Sequence, residues 1–180
     1  TSKTFSLGNV GAGLGAKAGS IKGGLGSSSF FVKELGLTVG ALVAVNSAGN
    51  VLYPKTRAFY AWDTELNNEF GGVHPPKNID RETVQLPKNT NMGQNTTLAV
   101  IGTDAKLTKS QARRLAIIAQ DGLGRAIRPA HTPLDGDTVF TIATGRQNLE
   151  DPIRDLSLSG GYASNSLSRA IARAVYEALS

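Results

Sequence analysis

The run Leu37-Thr38-Val39-Gly40-Ala41-Leu42-Val43-Ala44-Val45-Asn46 constrains the fold more than any other stretch, because it is apolar at odd and even positions alike and rich in β-branched residues. Successive side chains of a strand point to opposite faces, so a run of this kind reads as a central strand buried on both sides. Asn46 ends it, and Ser47-Ala48-Gly49-Asn50 supplies turn chemistry before a short strand, Val51-Leu52-Tyr53, which makes a hairpin the simplest account. A second apolar stretch, Ser29 to Leu35, precedes the central run.

The flanking sequence fills in a layered domain. Residues Thr1 to Ser28 are dense in glycine and read as turns around a site or a packed crossing. From Pro54 to Asn95 the pattern dissolves into Pro, Asn and charged residues, and an irregular segment of that length is more often functional than packed. Thr96 to Asp104 reads as a strand. Thr108-Lys109-Ser110-Gln111 is a capping box opening a helix, whose Leu115, Ile118, Ala119, Gly122 and Ala126 form a small-residue face suited to packing close on a sheet, until Pro129 stops it. Thr138 to Thr144 is another strand. Leu167, Ile171, Val175 and Leu179 stripe a final helix, with Arg169, Arg173 and Glu177 expected outward. Strands with helices on their faces give an α/β domain, and 180 residues suit one.

Composition narrows the chemistry. With no cysteine, disulfides, thiolate metal sites and a cysteine nucleophile are excluded. The net charge of +5 is spread over dispersed Lys and Arg with no basic run interleaved with aromatics, so neither a nucleic acid nor a membrane is an expected partner. The chain has no run of eighteen apolar residues and no signal-peptide pattern at Thr1, which sets the expectation of a soluble, cytoplasmic protein. Gly11-x-Gly13-x-x-Ala16 loosely fits a dinucleotide fingerprint, but no convincing strand precedes it and no periodic helix follows, so no cofactor is expected. The Gly-rich opening at Gly8-Asn9-Val10 begins with no element to anchor it, and reads as a chain missing its own beginning.

One dipeptide carries chemistry of its own. In Asn95-Thr96 the threonine hydroxyl can attack the carbonyl before it, and a freed Thr96 would hold nucleophile and base on one residue. Its α-amine, with a reference pKa of about 7.7 to 8.0 against about 10.4 for lysine, would accept the proton without a histidine. Asn-Thr pairs are common, and most are loop residues or strand starts, so the surroundings decide. The segment His131-Thr132-Pro133-Leu134-Asp135-Gly136-Asp137-Thr138 places two carboxylates about a glycine at a strand entrance, where they can bind a cation, orient an amine or cap a turn. An EF-hand is excluded, because the twelfth position from Asp135 is Arg146. His131 reads as a structural histidine, and no metal site is expected.

Together Gly8-Asn9-Val10-Gly11-Ala12-Gly13, Lys22-Gly23-Gly24-Leu25-Gly26-Ser27, the strand ending at Asn46, Asn95-Thr96-Thr97 and the 131–138 motif resemble the self-processing N-terminal-nucleophile hydrolases. That family includes L-aminopeptidase D-Ala-esterase/amidase, β-peptidyl aminopeptidases and endo-type nylon-oligomer (6-aminohexanoate-oligomer) hydrolase. The similarity is strongest to the nylon-oligomer branch, where the nucleophile is threonine and the acidic pair is Asp-Gly-Asp.

The resemblance implies a four-layer αββα sandwich, here without its amino-terminal part. It further implies scission between Asn95 and Thr96, so that residues 1–95 end an α-subunit and 96–180 form a β-subunit of one catalytic domain. Thr96 would be the nucleophile, Asn46 an oxyanion donor, Asp135 and Asp137 the acids near the nucleophile and its amine, and Lys22, preferred to Lys17, the functional lysine. Implied partners are an amide or short-peptide substrate, the amino-terminal part of the same subunit, and further copies in a homo-oligomer, commonly a tetramer. The alternatives are an aminopeptidase or D-amino-acid esterase/amidase, an acyltransferase with an amine acceptor, and a non-catalytic module binding an anion in the Gly-rich segment.

Overall fold

The computed structural model describes residues 4–79, 83–87 and 95–180. Two short strands, β1 (Lys17–Ala18) and β2 (Ile21–Lys22), pair with each other. A mixed four-stranded sheet follows in the order β3 (Gly24–Val32), β4 (Leu37–Val45), β5 (Leu98–Ala105) and β6 (Thr138–Gln147). The first three strands run antiparallel, and β6 lies parallel to β5. A parallel pair needs a crossover, which is supplied by α1 (Lys109–Ala119) and α2 (Asp121–Ala126). After β6 the chain ends in α3 (Pro152–Leu179).

The helices lie on one side of the sheet, α3 across β3 and β4, α1 on β6 and α3, and α2 on α3. Gly26 pairs with Val43 and abuts α3, so the buried Val39, Ala41, Val43 and Val45 of β4 share the helical face, with Ala99 and Ile101 of β5 beside them. The glycines of the opening make this approach close. A Cβ on Gly24 would lie 2.4 Å from the Ala174 carbonyl oxygen, and one on Gly26 only 1.9 Å from that of Ala170. Of the two readings of this segment, turns around a site or a packed crossing, its end at Gly24 and Gly26 fits the second, since these glycines let α3 approach β3 closely.

The opposite face of the sheet differs from expectation. Phe31, Leu42, Leu98, Phe140 and Ile142 are 40% to 63% exposed, so among the described residues the central strand is covered on one side only. The described residues form one sheet layer and one helix layer, a mixed α/β arrangement. None of their helices is long and apolar enough to cross a membrane.

Local signals mark where the helices begin, although the single helix expected from Thr108 to Pro129 is broken at Gln120 into α1 and α2. Thr108 caps α1 by accepting from Gln111 N at 3.3 Å while its own N–H donates to Gln111 Oε1 at 2.8 Å, completing the capping box. Asp151 caps α3 by accepting from Ile153 N and Arg154 N, with Pro152 at the first helical position. Three expectations need correction. The small face around Gly122 packs on α3 rather than on the sheet, a Cβ there falling 2.5 Å from the Ser164 carbonyl oxygen. Residues 51–53 form no extended strand: Leu52 makes an isolated bridge with Phe59, flanked by bonds from Tyr53 N to Ala58 O and from Tyr60 N to Val51 O. Arg169 turns inward: its guanidinium donates twice to Glu69, at 2.5 and 2.9 Å, once to Ser29 O, and lies 4.5 Å from the centre of the Phe30 ring. Arg173 is likewise drawn toward Glu69 at 3.5 Å and donates to Ser27 O.

Candidate active site

Strand register assembles the site. In the antiparallel β4–β5 ladder Val43 faces Ala99 and Ala44 faces Leu98, and continuing that register sets Asn46 against Thr96. The contact is made, with Thr96 N donating to Asn46 O at 2.6 Å. In the parallel β5–β6 ladder Leu98 faces Thr138, so Asn95 stands beside Asp135, where the two form a bridge. Three strand ends, far apart in sequence, therefore meet at the entrance of β5.

The scissile bond proposed from sequence lies at their centre. The Thr96 hydroxyl donates to the Asn95 carbonyl oxygen at 2.7 Å. Gly136 N donates to the same oxygen at 2.9 Å, and Thr138 N donates to Thr97 O at 3.0 Å, so alternate amides of the 136–138 segment run along the strand entrance that holds Thr96. Gly93 and Gln94, which precede the pair, lie outside the described residues.

Asn46 is oriented by its other flank. Its Oδ1 accepts Lys17 N at 3.0 Å, which orients the side-chain amide. Ser47 N donates to Lys17 O at 2.8 Å and Gly19 N to Ser47 O at 3.0 Å, anchoring the Gly-rich segment along the end of β4. Lys17 reaches this site through its backbone. Lys22 stands opposite Lys17 in the β1–β2 ladder with an exposed side chain, and no described contact joins it to Thr96.

The two acids are brought to the site but do different things. Asp135 Oδ1 accepts Ala48 N at 2.9 Å, and Oδ2 accepts Thr132 N at 3.2 Å and the Thr132 hydroxyl at 2.6 Å. It staples its loop to the turn after Asn46. Asp137 Oδ1 accepts Thr97 N at 3.0 Å, and Oδ2 lies 3.0 Å from His131 Nδ1. The Asp137 side chain is only 4% exposed, so an ionised carboxylate there depends on such partners. Of the sequence alternatives, turn capping describes the Asp135 contacts, whereas Asp137 holds the main-chain amide of Thr97. Among the described residues no three His, Cys, Asp or Glu side chains gather in a way that could hold a metal.

His131, read from sequence as merely structural, is therefore an immediate neighbour of the site. It holds a left-handed backbone angle, φ 55°, which histidine adopts more readily than most residues. Gly136 was also passed over. The signal for both lay within the flagged 131–138 motif, but which atoms face Thr96 depends on a register that the motif does not state.

The Gly-rich amides are largely committed within the fold. Gly8 N donates to Leu25 O, Gly13 N to Val10 O, Gly15 N to Asn9 Oδ1 and Gly23 N to Ala16 O. Residues Gly11–Gly13 form a single 3₁₀ turn with no α-helix behind it, unlike a phosphate-binding fingerprint.

A sheet with helices on one face and strand ends converging on a threonine defines an α/β protein. Its backbone is similar to that of L-aminopeptidase D-Ala-esterase/amidase from Ochrobactrum anthropi, described as a variant of the Ntn hydrolase fold, with a TM-score of 0.61 at 24% identity over 94% of this chain and 44% of that one. The chain belongs to peptidase family S58, whose model matches residues 1–180. It is 48% identical over 142 residues to an uncharacterized aminopeptidase of Mycobacterium leprae, covering 79% of this chain and 38% of that protein. It is 28% identical over 153 residues to a 6-aminohexanoate-oligomer endohydrolase of Kocuria sp., covering 81% and 41%. The chain thus spans about two-fifths of the length of these curated relatives.

Proposed function

We propose that Thr96 is the nucleophile of a self-processing amidohydrolase that first cuts its own chain after Asn95 and then hydrolyses amide bonds through an acyl-enzyme. The observation that carries this reading is the pairing of Thr96 Oγ with the Asn95 carbonyl oxygen at 2.7 Å while Thr96 N is held on Asn46 O at 2.6 Å. The nucleophile is already beside the peptide group it would attack, and the nitrogen that would become its base is already anchored.

After scission the new α-amine would take the hydroxyl proton as Thr96 attacks a substrate amide and pass it to the leaving nitrogen. Asn46, through Nδ2, would hold the developing oxyanion. Asp137, through the Thr97 amide and its own charge, and Asp135, through the turn behind Asn46, would keep the ammonium form favourable and the geometry fixed. Lys22, or Lys17 in its place, is the proposed functional lysine, to be separated by alanine substitution of each.

Family membership and the Kocuria relative support amide hydrolysis, with small peptides or linear polyamide oligomers as the substrate class. A second reading, an aminopeptidase or D-amino-acid esterase/amidase, is favoured by the Mycobacterium relative at 48% identity. Peptides with free and blocked amino termini, set beside a linear polyamide, distinguish the two, since an aminopeptidase cleaves only the first.

The bare apolar sheet face supports a four-layer αββα arrangement in which a second sheet packs against Leu42, Leu98, Phe140 and Ile142. The amino-terminal part of the same subunit is its proposed source, since the relatives carry most of their length outside the matched region. Residues 1–95 and 96–180 would then be pieces of one processed protomer within a homo-oligomer, a tetramer by resemblance.

The test is intact mass and amino-terminal sequencing of the protein and of Thr96→Ala. The parent is expected to yield a species starting at Thr96, and the variant to stay whole and inactive. Fragmentation of Thr96→Ala at the same bond would end this reading.

A further inference from the structure

The carbonyl oxygen of Asn95 receives two donors, Gly136 N at 2.9 Å and Thr96 Oγ at 2.7 Å. The first follows from sheet geometry: the parallel register that sets Leu98 beside Thr138 carries on below the strand, and puts the amide of Gly136 on the one carbonyl that self-cleavage would polarise. The second depends on what Gly136 lacks. A Cβ at that position would stand 2.8 Å from Thr96 Oγ, with the Thr96 methyl and Cβ farther off at 3.7 and 3.8 Å. The hydroxyl alone lies too close to any side chain there, and only a glycine leaves it on the scissile carbonyl.

We propose that the main-chain N–H of Gly136 is the oxyanion donor for self-cleavage and that its missing side chain holds the Thr96 hydroxyl in attacking position. This rests on the self-processing reading above. In the step, Thr96 Oγ bonds to the Asn95 carbonyl carbon and gives up its proton. The carbonyl oxygen gathers negative charge against the Gly136 N–H. The bond from that carbon to Thr96 N then breaks, the nitrogen keeping its electron pair and taking the proton, which leaves an ester between Asn95 and Thr96. Water hydrolyses the ester, giving the Asn95 carboxylate, the restored hydroxyl and a free α-amine.

Division of labour follows. Asn46 O tends the nitrogen of the scissile peptide and Gly136 N its oxygen, so the donor for self-cleavage is set by the backbone register before any substrate binds.

Two variants separate the two halves of the proposal, each followed as a time course of fragment formation in cell-free translation. Glycolic acid in place of Gly136, introduced by nonsense suppression, exchanges the amide for an ester and removes only the N–H. Scission is expected to slow roughly a hundredfold or more, as loss of one oxyanion donor does elsewhere. Gly136→Ala keeps the N–H but crowds the hydroxyl, and a displacement of about 1 Å from attacking geometry costs on the order of a hundredfold. Adding Thr96→Ser to Gly136→Ala is expected to recover part of that loss, because serine is freer than β-branched threonine to turn its hydroxyl.

Parental rates in the glycolic-acid protein would show the Gly136 bond to be an ordinary ladder bond and overturn its oxyanion role, leaving self-processing intact. Parental rates in Gly136→Ala would overturn the steric half. If the parent itself forms no Thr96 terminus, both the proposal and the reading beneath it fall together.

Discussion

The two flanks of the β5 entrance treat the same peptide bond differently. The β4 flank is antiparallel and touches the nitrogen side, through Asn46 O on Thr96 N, with the Asn46 side chain locked by Lys17 N. The β6 flank is parallel and touches the carbonyl side through Gly136 N on Asn95 O, with Asp137 accepting the Thr97 N–H of the next peptide. One flank thus offers a side chain that can meet a substrate, the other a row of backbone donors already engaged with the chain itself. On the proposed function, cutting the chain and turning over substrate would draw on separable parts of one site.

Substitutions can break that division. Asn46→Ala keeps the main-chain carbonyl but removes the amide, so processing is expected to continue while kcat falls by about 10² to 10³, equivalent to about 2.7 to 4 kcal/mol, with KM little changed. Gel analysis together with steady-state kinetics checks this, and equal losses in both reactions would merge the two flanks into one function. A smaller effect is expected from Asp137→Ala, which leaves the Thr97 N–H without its acceptor. Stability should drop by about 1 to 3 kcal/mol in denaturant titration, with slower processing. His131→Ala should be milder still, about 1 kcal/mol or less, because that side chain is 38% exposed and its attraction to Asp137 is screened by water. If His131→Ala matched Asp137→Ala in denaturant, the histidine would count as a full member of the β6 flank.

How much of this was legible in the sequence depended on distance along the chain. The capping box at Thr108 and Gln111 was readable because both partners sit within one helical turn. The central strand was readable from composition alone, but its bare face was not, since an apolar side chain such as Leu42 looks the same whether or not another layer covers it. Arg169 was placed outward because Glu69, its partner, stands a hundred positions earlier in an irregular segment without period. Val51-Leu52-Tyr53 had the residues of a strand but only isolated pairing in the structure, and local pattern carries no information about a missing neighbour.

The site divides the same way. Thr96, Asn46, Asp135 and Asp137 were singled out through the family resemblance, and the structure gathers them at one strand entrance. Spacing gave no hint that Asp135 would staple the turn after Asn46 while Asp137 would hold the amide that follows Thr96. Those assignments depend on the offset between β5 and β6, which only the paired strands define.

The sheet order β3-β4-β5-β6, with α3 laid over the first two strands, has a consequence for molecularity. A cut between 95 and 96 falls between β4 and β5, yet β4 stays hydrogen-bonded to β5, and α3 from the later piece stays seated on β3 and β4 from the earlier one. The proposed scission would therefore turn one chain into two that interlock, and would convert refolding from a first-order event into an association. The melting temperature of the cut form should rise with protein concentration while that of an uncut variant stays fixed.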